Sequence, residues 1–283
     1  MISELTIKEK LSDLETEFID FCLDNLAQWE IWAQLSGKMA AGEKVVEDQI
    51  PESFKVEYRL MRAVLDMEAI GKFDWHNPEL ISIFGQLIKT PYYQTWGEMI
   101  GKISLRLADL AGIKTLVEIG AGRGNLTEKI MAQITEQNSD IKLIVTESDP
   151  EALKSTELLK NQFPRVKMET LLWDVKKPPP ETLLGKLEPP VLVYERTAIL
   201  YATVPAIKNI AQITDYIVFG DVFNYTGKLY GYDEISKKIG AMPLFYKDMK
   251  SLLDTFFSGH FMFDLAVHQK LKIPNTAILV GWK

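Results

Sequence analysis

The chain has 283 residues, of which 47% are hydrophobic and 25% are charged, and its formal net charge is −7. This composition is ordinary for a soluble globular protein with a sizeable core, and the acidic balance disfavours broad binding to nucleic acid. A single cysteine excludes an internal disulfide and a thiolate metal cluster, and no apolar run is long enough to cross a bilayer. We therefore expect a cytoplasmic protein.

The first part of the chain predicts helices. Apolar residues recur at helical spacing in LSDLETEFIDFCLDNLAQWEIWAQL and again in FKVEYRLMRAVLDMEAIGKF, where Gly71 suits a helix end. Turn residues separate these segments, and no strand-like alternation of any length precedes Lys114. We expect residues 1–90 to form a helical cap, or lid, over the rest of the chain.

From Lys114 onward the pattern changes to short β-branched apolar runs, namely KTLVEIG, IKLIVTES, PVLVYE and DYIVFGDV. Helical segments separate the earlier runs. Strands buried on both faces that alternate with helices predict an α/β fold, a doubly wound and mostly parallel sheet, over residues 91–283. Near the C-terminus, FMFDLAVHQKLKI and NTAILVGW are joined by only a short Pro-Asn turn, which permits an antiparallel pair but no parallel crossover.

The segment TLVEIGAGRGNLTEKI places Gly120, Gly122 and Gly124 where the first strand should pass into a helix. Glycine is favoured where the backbone turns at positive φ or approaches a ligand closely, and the N-terminus of a helix attracts anionic groups. A dinucleotide fingerprint would place its third glycine three residues after the second. Here the third glycine follows after two, which weakens an NAD interpretation.

The segment VEIGAGRG resembles motif I, E/D-x-G-x-G-x-G, of the class I S-adenosylmethionine-dependent methyltransferases, and further landmarks of that family follow in order. Glu147, at the end of the next strand, matches the acidic residue that bonds both ribose hydroxyls. Trp173 and Asp174 match the residues that flank the adenine and accept from its exocyclic amine. The resemblance covers about residues 90–283. It implies a Rossmann-like, seven-stranded sheet with an antiparallel last strand.

The resemblance also implies S-adenosylmethionine as the cofactor. The residues expected to bind it are Tyr93, Trp96, Glu118, Gly120, Ala121, Gly122, Glu147, Ser148, Trp173, Asp174 and Tyr194. The chemistry agrees, because a carboxylate can accept two hydrogen bonds from a vicinal diol and an indole offers a face for stacking. Taken singly, Glu147 also suits a solvated strand end, Asp174 a turn cap and Trp173 the core, and these alternatives stay open.

Methyl transfer from a sulfonium is an in-line displacement, for which an enzyme mainly supplies proximity, orientation and sometimes a base. The resemblance places the acceptor beyond the fourth and fifth strands, beside the segment VYERTAILYA. Glu195 is the candidate to take a proton or orient the acceptor, and Arg196 is the candidate to hold an anionic substrate. The alternative is that these two residues form a surface ion pair.

Two groups of aromatic residues flank the predicted sheet. Tyr92, Tyr93 and Trp96 stand at a predicted helix start before the first strand, where they could close over the cofactor or the acceptor, or pack between the two halves of the chain. A second group could line an acceptor pocket after the fifth strand or simply cover that loop: Tyr225, Tyr230 and Tyr232.

We expect methyl transfer to a small-molecule acceptor, with oxygen ahead of nitrogen. The Asn-Pro-Pro-aromatic signature of amino-directed nucleic-acid methyltransferases is missing, although motif I is similar to that of ribosomal RNA adenine dimethylases. No metal is expected, because Glu195, Asp221 and Asn224 match poorly the ligand set of metal-dependent O-methyltransferases. An RNA or protein methyltransferase and a non-catalytic S-adenosylmethionine-binding protein are the alternatives.

Overall fold

The computed structural model describes residues 2–74, 76–224, 231–238, 244–263 and 275–283. The part before the first strand is helical, as the sequence predicts, with two single 3-10 turns between the first two helices. The helices are α1 (Glu4–Ala40), α2 (Lys55–Ala69), α3 (Pro78–Leu87) and α4 (Pro91–Ala111). No helix among these residues or the later described ones is long and apolar enough to cross a membrane.

Local signals set the helix boundaries. Asn77 caps α3, since its side chain accepts a hydrogen bond from the backbone N–H of Glu79 at 2.8 Å. Both α3 and α4 carry proline in the first turn, where no intrahelical donor is needed. Gly112 ends α4 with a left-handed φ of 64°, a conformation that glycine adopts at little cost.

The second part of the chain forms one mostly parallel sheet. Its spatial order is β3-β2-β1-β4-β5-β8-β7, and the two-residue β6 pairs with the end of β5. The last strand, β8, is antiparallel to both β5 and β7. The strands are β1 (Thr115–Ile119), β2 (Lys142–Glu147), β3 (Lys167–Leu172), β4 (Val191–Arg196), β5 (Tyr216–Asn224), β6 (Leu244–Phe245), β7 (Gly259–Met262) and β8 (Asn275–Trp282).

The predicted α/β fold with an antiparallel last strand is therefore confirmed. The short β6 is the one described strand that the sequence does not predict. Most of FMFDLAVHQKLKI after residue 263 lies outside the described residues. The order of the sheet reverses between β1 and β4, and ligands of open α/β sheets bind in the crevice that such a reversal leaves at the carboxyl ends of the strands. The site is therefore expected beside the ends of β1, β2 and β4.

Helices cover both faces of the sheet. Buried side chains of α1, α4 and α5 pack together on one face, and those of α8 and α10 pack on the other. Parallel strands need this cover on both faces because their own side chains are apolar on both. The helices of this part are α5 (Asn125–Glu136), α6 (Pro150–Glu157), α7 (Glu181–Leu184), α8 (Ile199–Ile213), α9 (Gly231–Lys238) and α10 (Tyr246–Phe256).

Helix α1 contributes to two hydrophobic cores. Its first half packs through Ile7, Leu11 and Phe18 into the core between α4 and the sheet. Its second half packs through Trp29 and Trp32 into a separate core with α2, α3 and α9. The long helix thus packs both against the sheet and against the other N-terminal helices, for which we keep the name cap, while their role as a lid stays a prediction. The boundary at residue 90 stays a prediction.

The core of the cap contains a buried acid. Glu57 of α2 is only 4% exposed, and the other buried residues of α2 belong to this hydrophobic core. Burial raises the pKa of Glu57 to about 7, and a contact from the Trp32 side chain opposes this rise. A carboxyl group with a raised pKa binds its proton more tightly in the folded than in the unfolded chain.

We predict that this group makes the protein less stable as the pH rises. Between the unfolded pKa near 4.5 and the folded pKa of about 7, only the folded state holds the proton. The stability that the protonated Glu57 contributes is therefore fully present below pH 4.5 and is lost as the pH rises through 7. The loss amounts to about 3 kcal/mol. Glutamine does not titrate, so the free energy of unfolding of Glu57→Gln minus that of the unsubstituted protein should rise by about that much from pH 5 to pH 8. Urea denaturation at both pH values measures it. A difference that does not change with pH would contradict the assignment.

Candidate functional site

The turn after β1 is built from left-handed glycines. Gly120, Gly122 and Gly124 have φ values of 64°, 55° and 85°. A Cβ at Gly120 would lie 2.7 Å from the Cβ of Ala198, at the start of α8, so a side chain does not fit there. A Cβ at Gly122 would meet nothing within 4 Å. The turn therefore packs tightly against the protein at Gly120 and has free space beside it at Gly122.

Glu147, at the end of β2, is bonded directly to this turn. Its Oε2 accepts a hydrogen bond from Gly122 N at 2.8 Å. Its Oε1 accepts from Ser148 N at 2.6 Å, from Asp149 N at 3.0 Å and from the Ser148 hydroxyl at 3.1 Å. One carboxylate thus connects the ends of β1 and β2. The predicted diol-binding residue and the predicted glycine turn lie together.

Below the turn, Glu118 lies in a buried hydrogen-bonded network. Its Oε2 accepts from the hydroxyls of Thr127 at 2.8 Å and Tyr194 at 2.9 Å. Burial raises the pKa of Glu118 to about 7, against the two hydrogen bonds and the charge of Arg196, which lower it. Burial, with the neighbouring Glu118, also raises the pKa of Tyr194 well above its ordinary value. The network ties β1, α5 and β4 together.

Arg196, at the end of β4, is held by the backbone and side chains of two helices. Its Nη1 donates to the carbonyl oxygen of Tyr93 at 3.0 Å, and its Nη2 donates to Asn125 Oδ1 at 2.8 Å. The guanidinium carbon lies 5.9 Å from the centre of the Tyr93 ring. Burial lowers the pKa of Arg196, and the nearby Tyr93, Glu118 and Glu195 raise it. Arg196 therefore links α4, α5 and β4 at the edge of the sheet.

Glu195 points to the opposite face of the sheet from Arg196, as successive strand residues do. Its side chain is fully buried, and Oε2 accepts a hydrogen bond from Ala198 N at 2.6 Å. A fully buried carboxyl cannot belong to a surface ion pair, so that alternative from the sequence is wrong. Thr197 follows with a φ of 60°, which a non-glycine residue seldom adopts, and turns the chain sharply into α8.

Trp173 and Asp174 make contacts within their own segment. Trp173 is 5% exposed and packs in the core on the α8 face, and its indole N–H donates to the carbonyl oxygen of Lys177 at 3.0 Å. Asp174 caps a turn through a hydrogen bond from Lys176 N at 3.1 Å. Trp173 N also donates to the carbonyl oxygen of Glu147 at 2.9 Å, which places this segment beside the tip of β2. Their roles towards adenine stay predictions.

The aromatic residues of α4 separate into two environments. Tyr93 is half-buried beside Arg196, whereas Trp96 is fully buried and packs over Gly220 of β5. Tyr92 turns into the core of the cap. Of the second aromatic group, Tyr225 and Tyr230 lie outside the described residues, and so does the side chain of Tyr232.

Three residues of this site were missed by the sequence analysis. Asn125 and Thr127 directly follow the glycine motif, and their position in the first turn of α5 is a signal that could have found them. Thr156 of α6 donates its hydroxyl hydrogen to the carbonyl oxygen of Gly122 at 2.9 Å. It lies 34 residues from that glycine, and no local pattern indicates the contact. Among the described residues, no group of three or more His, Cys, Asp or Glu is placed to hold a metal ion.

No protein-family model matches the chain, and a search of curated protein sequences finds no match. The structure is similar to that of DszA carbon methyltransferase at 11% identity and a TM-score of 0.65, with 82% of this chain and 66% of that one covered. Mitomycin 7-O-methyltransferase MmcR is similar at 12% identity and a TM-score of 0.53, with 84% of this chain and 71% of that one covered. Plantazolicin methyltransferase BpumL in complex with SAH is similar at 10% identity and a TM-score of 0.53, with 81% of this chain and 99% of that one covered.

The chain has the class I methyltransferase fold. The order of its sheet, with the antiparallel strand between β5 and β7, agrees with this likeness. The chain spans just under two thirds of the length of DszA carbon methyltransferase. At such low identity the likeness concerns the fold, so activity and acceptor have to be argued from the residues.

The turn allows a matched test of its geometry. Alanine at either Gly120 or Gly122 would be strained by about 1–2 kcal/mol, because both have positive φ. Only at Gly120 would the new methyl also collide with Ala198, which adds about 1–3 kcal/mol. We expect Gly120→Ala to lower the free energy of unfolding by that extra amount relative to Gly122→Ala. Chemical denaturation measures both, and equal losses would show that the turn differs from the one described.

Proposed function

We propose that this protein is an S-adenosylmethionine-dependent methyltransferase that acts on a small molecule. The observation that carries the proposal is the hydrogen bond between Glu147 Oε2 and Gly122 N. It joins the candidate diol-binding carboxylate to the glycine turn at the point where the order of the sheet reverses. The fold supports the proposal, because the solved structures that share it include a methyltransferase in complex with SAH.

The residues at the turn suit this cofactor. S-adenosylmethionine supplies an electrophilic methyl group on a sulfonium. The open position at Gly122 lets the backbone approach a ligand, and the N-terminus of α5 favours an anionic group such as the carboxylate of the cofactor's amino-acid part. Glu147 would bond the ribose hydroxyls, while Trp173 and Asp174 would flank the adenine. Glu118 and Tyr194 would hold the three elements below the turn in register.

We place the acceptor beyond the ends of β4 and β5. Glu195 would take a proton from the acceptor or orient it. Arg196 would position Tyr93 and Asn125 with two of its five N–H donors and hold an anionic substrate with the others. Oxygen is favoured over nitrogen, since the signature of amino-directed nucleic-acid enzymes is missing. The similar solved structures include a carbon methyltransferase and an oxygen methyltransferase, so the fold admits either acceptor atom.

Two alternatives stay beside this proposal. One is methyl transfer to RNA or protein, and the other is cofactor binding without catalysis. Release of S-adenosylhomocysteine in separate panels of small-molecule, peptide and RNA acceptors would distinguish all three, because each kind of methyltransferase turns over with its own class of acceptor. Binding of the cofactor without turnover of small molecules, peptides or RNA would favour the non-catalytic protein.

The cofactor assignment predicts a selective thermal shift. S-adenosylhomocysteine should raise the melting temperature and NAD should not, because only a ligand that prefers the native state stabilises it. Glu147→Ala should weaken S-adenosylhomocysteine binding by about 1.5–3 kcal/mol, since hydrogen bonds to a charged group are lost. Calorimetry measures the affinity, and circular dichroism should show an unchanged fold.

Glu136→Ala is the matched control, because it removes an exposed carboxylate at the C-terminal end of α5, away from the glycine turn. Equal stabilisation by NAD would refute the cofactor, and unaltered affinity of Glu147→Ala would show that the diol is bound elsewhere.

The chemical step predicts a loss of rate at Glu195. Glu195→Gln keeps the shape of the side chain and an oxygen that can accept from Ala198 N. Cofactor affinity should stay unchanged, while single-turnover methyl transfer should slow by roughly 10²–10⁴-fold if the carboxylate acts as a general base. Glu181→Gln, at an exposed carboxylate of α7, is the control. A rate within a factor of about two of the unsubstituted protein, far below that range, would remove Glu195 from the mechanism.

A further inference from the structure

A histidine of the cap contacts the candidate cofactor site. His76 lies in the loop that enters α3, and its imidazole lies between two carboxylates. Its Nδ1 is 3.0 Å from Asp74 Oδ1 in the same loop, and its Nε2 is 3.6 Å from Asp149 Oδ2 in the turn between β2 and α6. The backbone N–H of His76 also donates to Asp74 Oδ1 at 2.9 Å, which fixes the first contact. One ring therefore connects the cap to the end of β2.

Only a protonated ring suits both carboxylates. A neutral imidazole carries one N–H and a lone pair on the other nitrogen, whereas the imidazolium donates from both nitrogens. Whichever tautomer a neutral His76 adopts, it must turn a lone pair towards either Asp74 or Asp149. Protonation replaces that repulsion by an ion pair. A single proton therefore decides whether the contact between the cap loop and the β2–α6 turn is attractive.

Asp149 belongs to the same turn as the candidate diol-binding carboxylate. Its N–H donates to Glu147 Oε1 at 3.0 Å, and its Oδ1 caps α6 by accepting from Glu151 N at 2.8 Å. The other oxygen, Oδ2, is the one that faces His76. Asp149 is therefore held by its own turn, and it brings the cap loop within two residues of the carboxylate that we expect to bind the ribose.

The cap meets the carboxyl edge of the sheet at a second point. Tyr92, whose ring packs in the cap core, shares a hydrogen bond with Thr276 of β8, beside the end of β5. Since β2 and β8 lie on opposite sides of the β1–β4 reversal, the two contacts lie on either side of the candidate cofactor site. The Tyr92 contact is buried, whereas the His76 side chain is 70% exposed. The exposed contact is the one that can open while the buried one holds.

The charged groups around His76 are acidic. Asp74 faces it from its own loop, Asp149 from the β2–α6 turn and Glu151 from the first turn of α6. The hydrogen bond and charge of Asp74 raise the pKa of His76 most, Asp149 and Glu151 add to the rise, and burial opposes it. Asp74 moves with the loop, so only the charges of Asp149 and Glu151 link protonation to closure. The closed loop is therefore favoured at low pH and loses this advantage as the pH rises through the pKa of His76 in the closed loop.

We propose that the loop before α3 is a latch over the cofactor site, which the His76 imidazolium fastens to Asp149 and which slows the release of bound cofactor. An exposed ion pair contributes little, corresponding to about a two- to fivefold change in the closing equilibrium. Such a contact closes over a ligand without trapping it, as replacement of the spent cofactor after each turnover requires. The inference rests on the proposed function for the identity of the ligand, and the contacts of His76 carry the latch.

The rate of ligand release tests the latch. Surface plasmon resonance on the immobilised full chain measures the dissociation rate of S-adenosylhomocysteine at pH 6.0 and pH 8.5, and the pH ratio is the second rate divided by the first. We expect the pH ratio of the unsubstituted protein to be about two- to fivefold larger than that of His76→Gln. Glu118, whose pKa is about 7, titrates in both proteins, so its contribution cancels in this comparison. Where release is too fast to resolve, the dissociation constant replaces the rate, since closure over the ligand lowers both.

A second variant and a matched control complete the test. Asp149→Asn should lower the pH ratio as His76→Gln does, and the double variant should lower it no further, because both remove the same ion pair. His260→Gln is the control, since His260 lies 3.5 Å from Asp254 but belongs to the edge strand β7, away from the site. It should keep the ratio of the unsubstituted protein. A pH ratio that His76→Gln or Asp149→Asn preserves, or that His260→Gln lowers equally, would overturn the latch.

The two proposals fail in different ways. If S-adenosylhomocysteine does not bind the unsubstituted protein, the proposed function fails, and the latch is judged without ligand. Hydrogen–deuterium exchange at pH 6.0 then compares the peptide that contains His76 in the unsubstituted protein and in Asp149→Asn, where the sequence of that peptide is unchanged. Exchange about two- to fivefold faster in the variant supports the latch, and equal exchange overturns it. If S-adenosylhomocysteine binds with the same pH ratio in every variant, only the latch fails.

Discussion

The hydrogen bonds of the Glu147 carboxylate hold the candidate site together. One side-chain oxygen accepts from the backbone of the glycine turn, and the other accepts from two backbone N–H groups after β2. Backbone N–H groups at the end of a strand have no partner in the sheet, so a carboxylate that accepts three of them fixes two strand ends at once. A ligand diol would approach a group whose position is already determined.

The absence of a side chain at Gly120 also fixes the site, because it lets the turn pack closely against the next connection of the sheet. Because the turn packs directly against Ala198, the start of α8 lies close to the end of β1. Thr197, whose left-handed backbone turns the chain, brings the start of α8 to this position. Glu195 is buried beside this connection and accepts a hydrogen bond from the N–H of Ala198. The glycine turn and the candidate catalytic residue are therefore both positioned by Ala198.

Two buried acids lower the stability of the fold at neutral pH. Burial raises the pKa values of Glu118 and Glu57 to about 7, and the ionised form of each is disfavoured in the core. Glu118 lies below the glycine turn, and Glu57 lies in the cap. Strongly shifted carboxyls concentrate where proteins bind ligands, since a site needs groups that water has not already satisfied.

The sequence by itself determined the helical first part, the strand runs and the left-handed turn, because helical periodicity, β-branched runs and glycine torsions are local properties. Through a resemblance in order and spacing it also assigned Glu147 and the glycines to one expected cofactor site. Only the tertiary structure decided which side chains meet across the fold. Tyr92 bonds to Thr276, 184 residues away, and Arg196 bonds to the backbone of Tyr93, 103 residues away. Burial of Glu57 and Glu195 was equally hidden, because a carboxylate in a helix or at a strand end is normally solvated, and only the packing of distant elements removes its water.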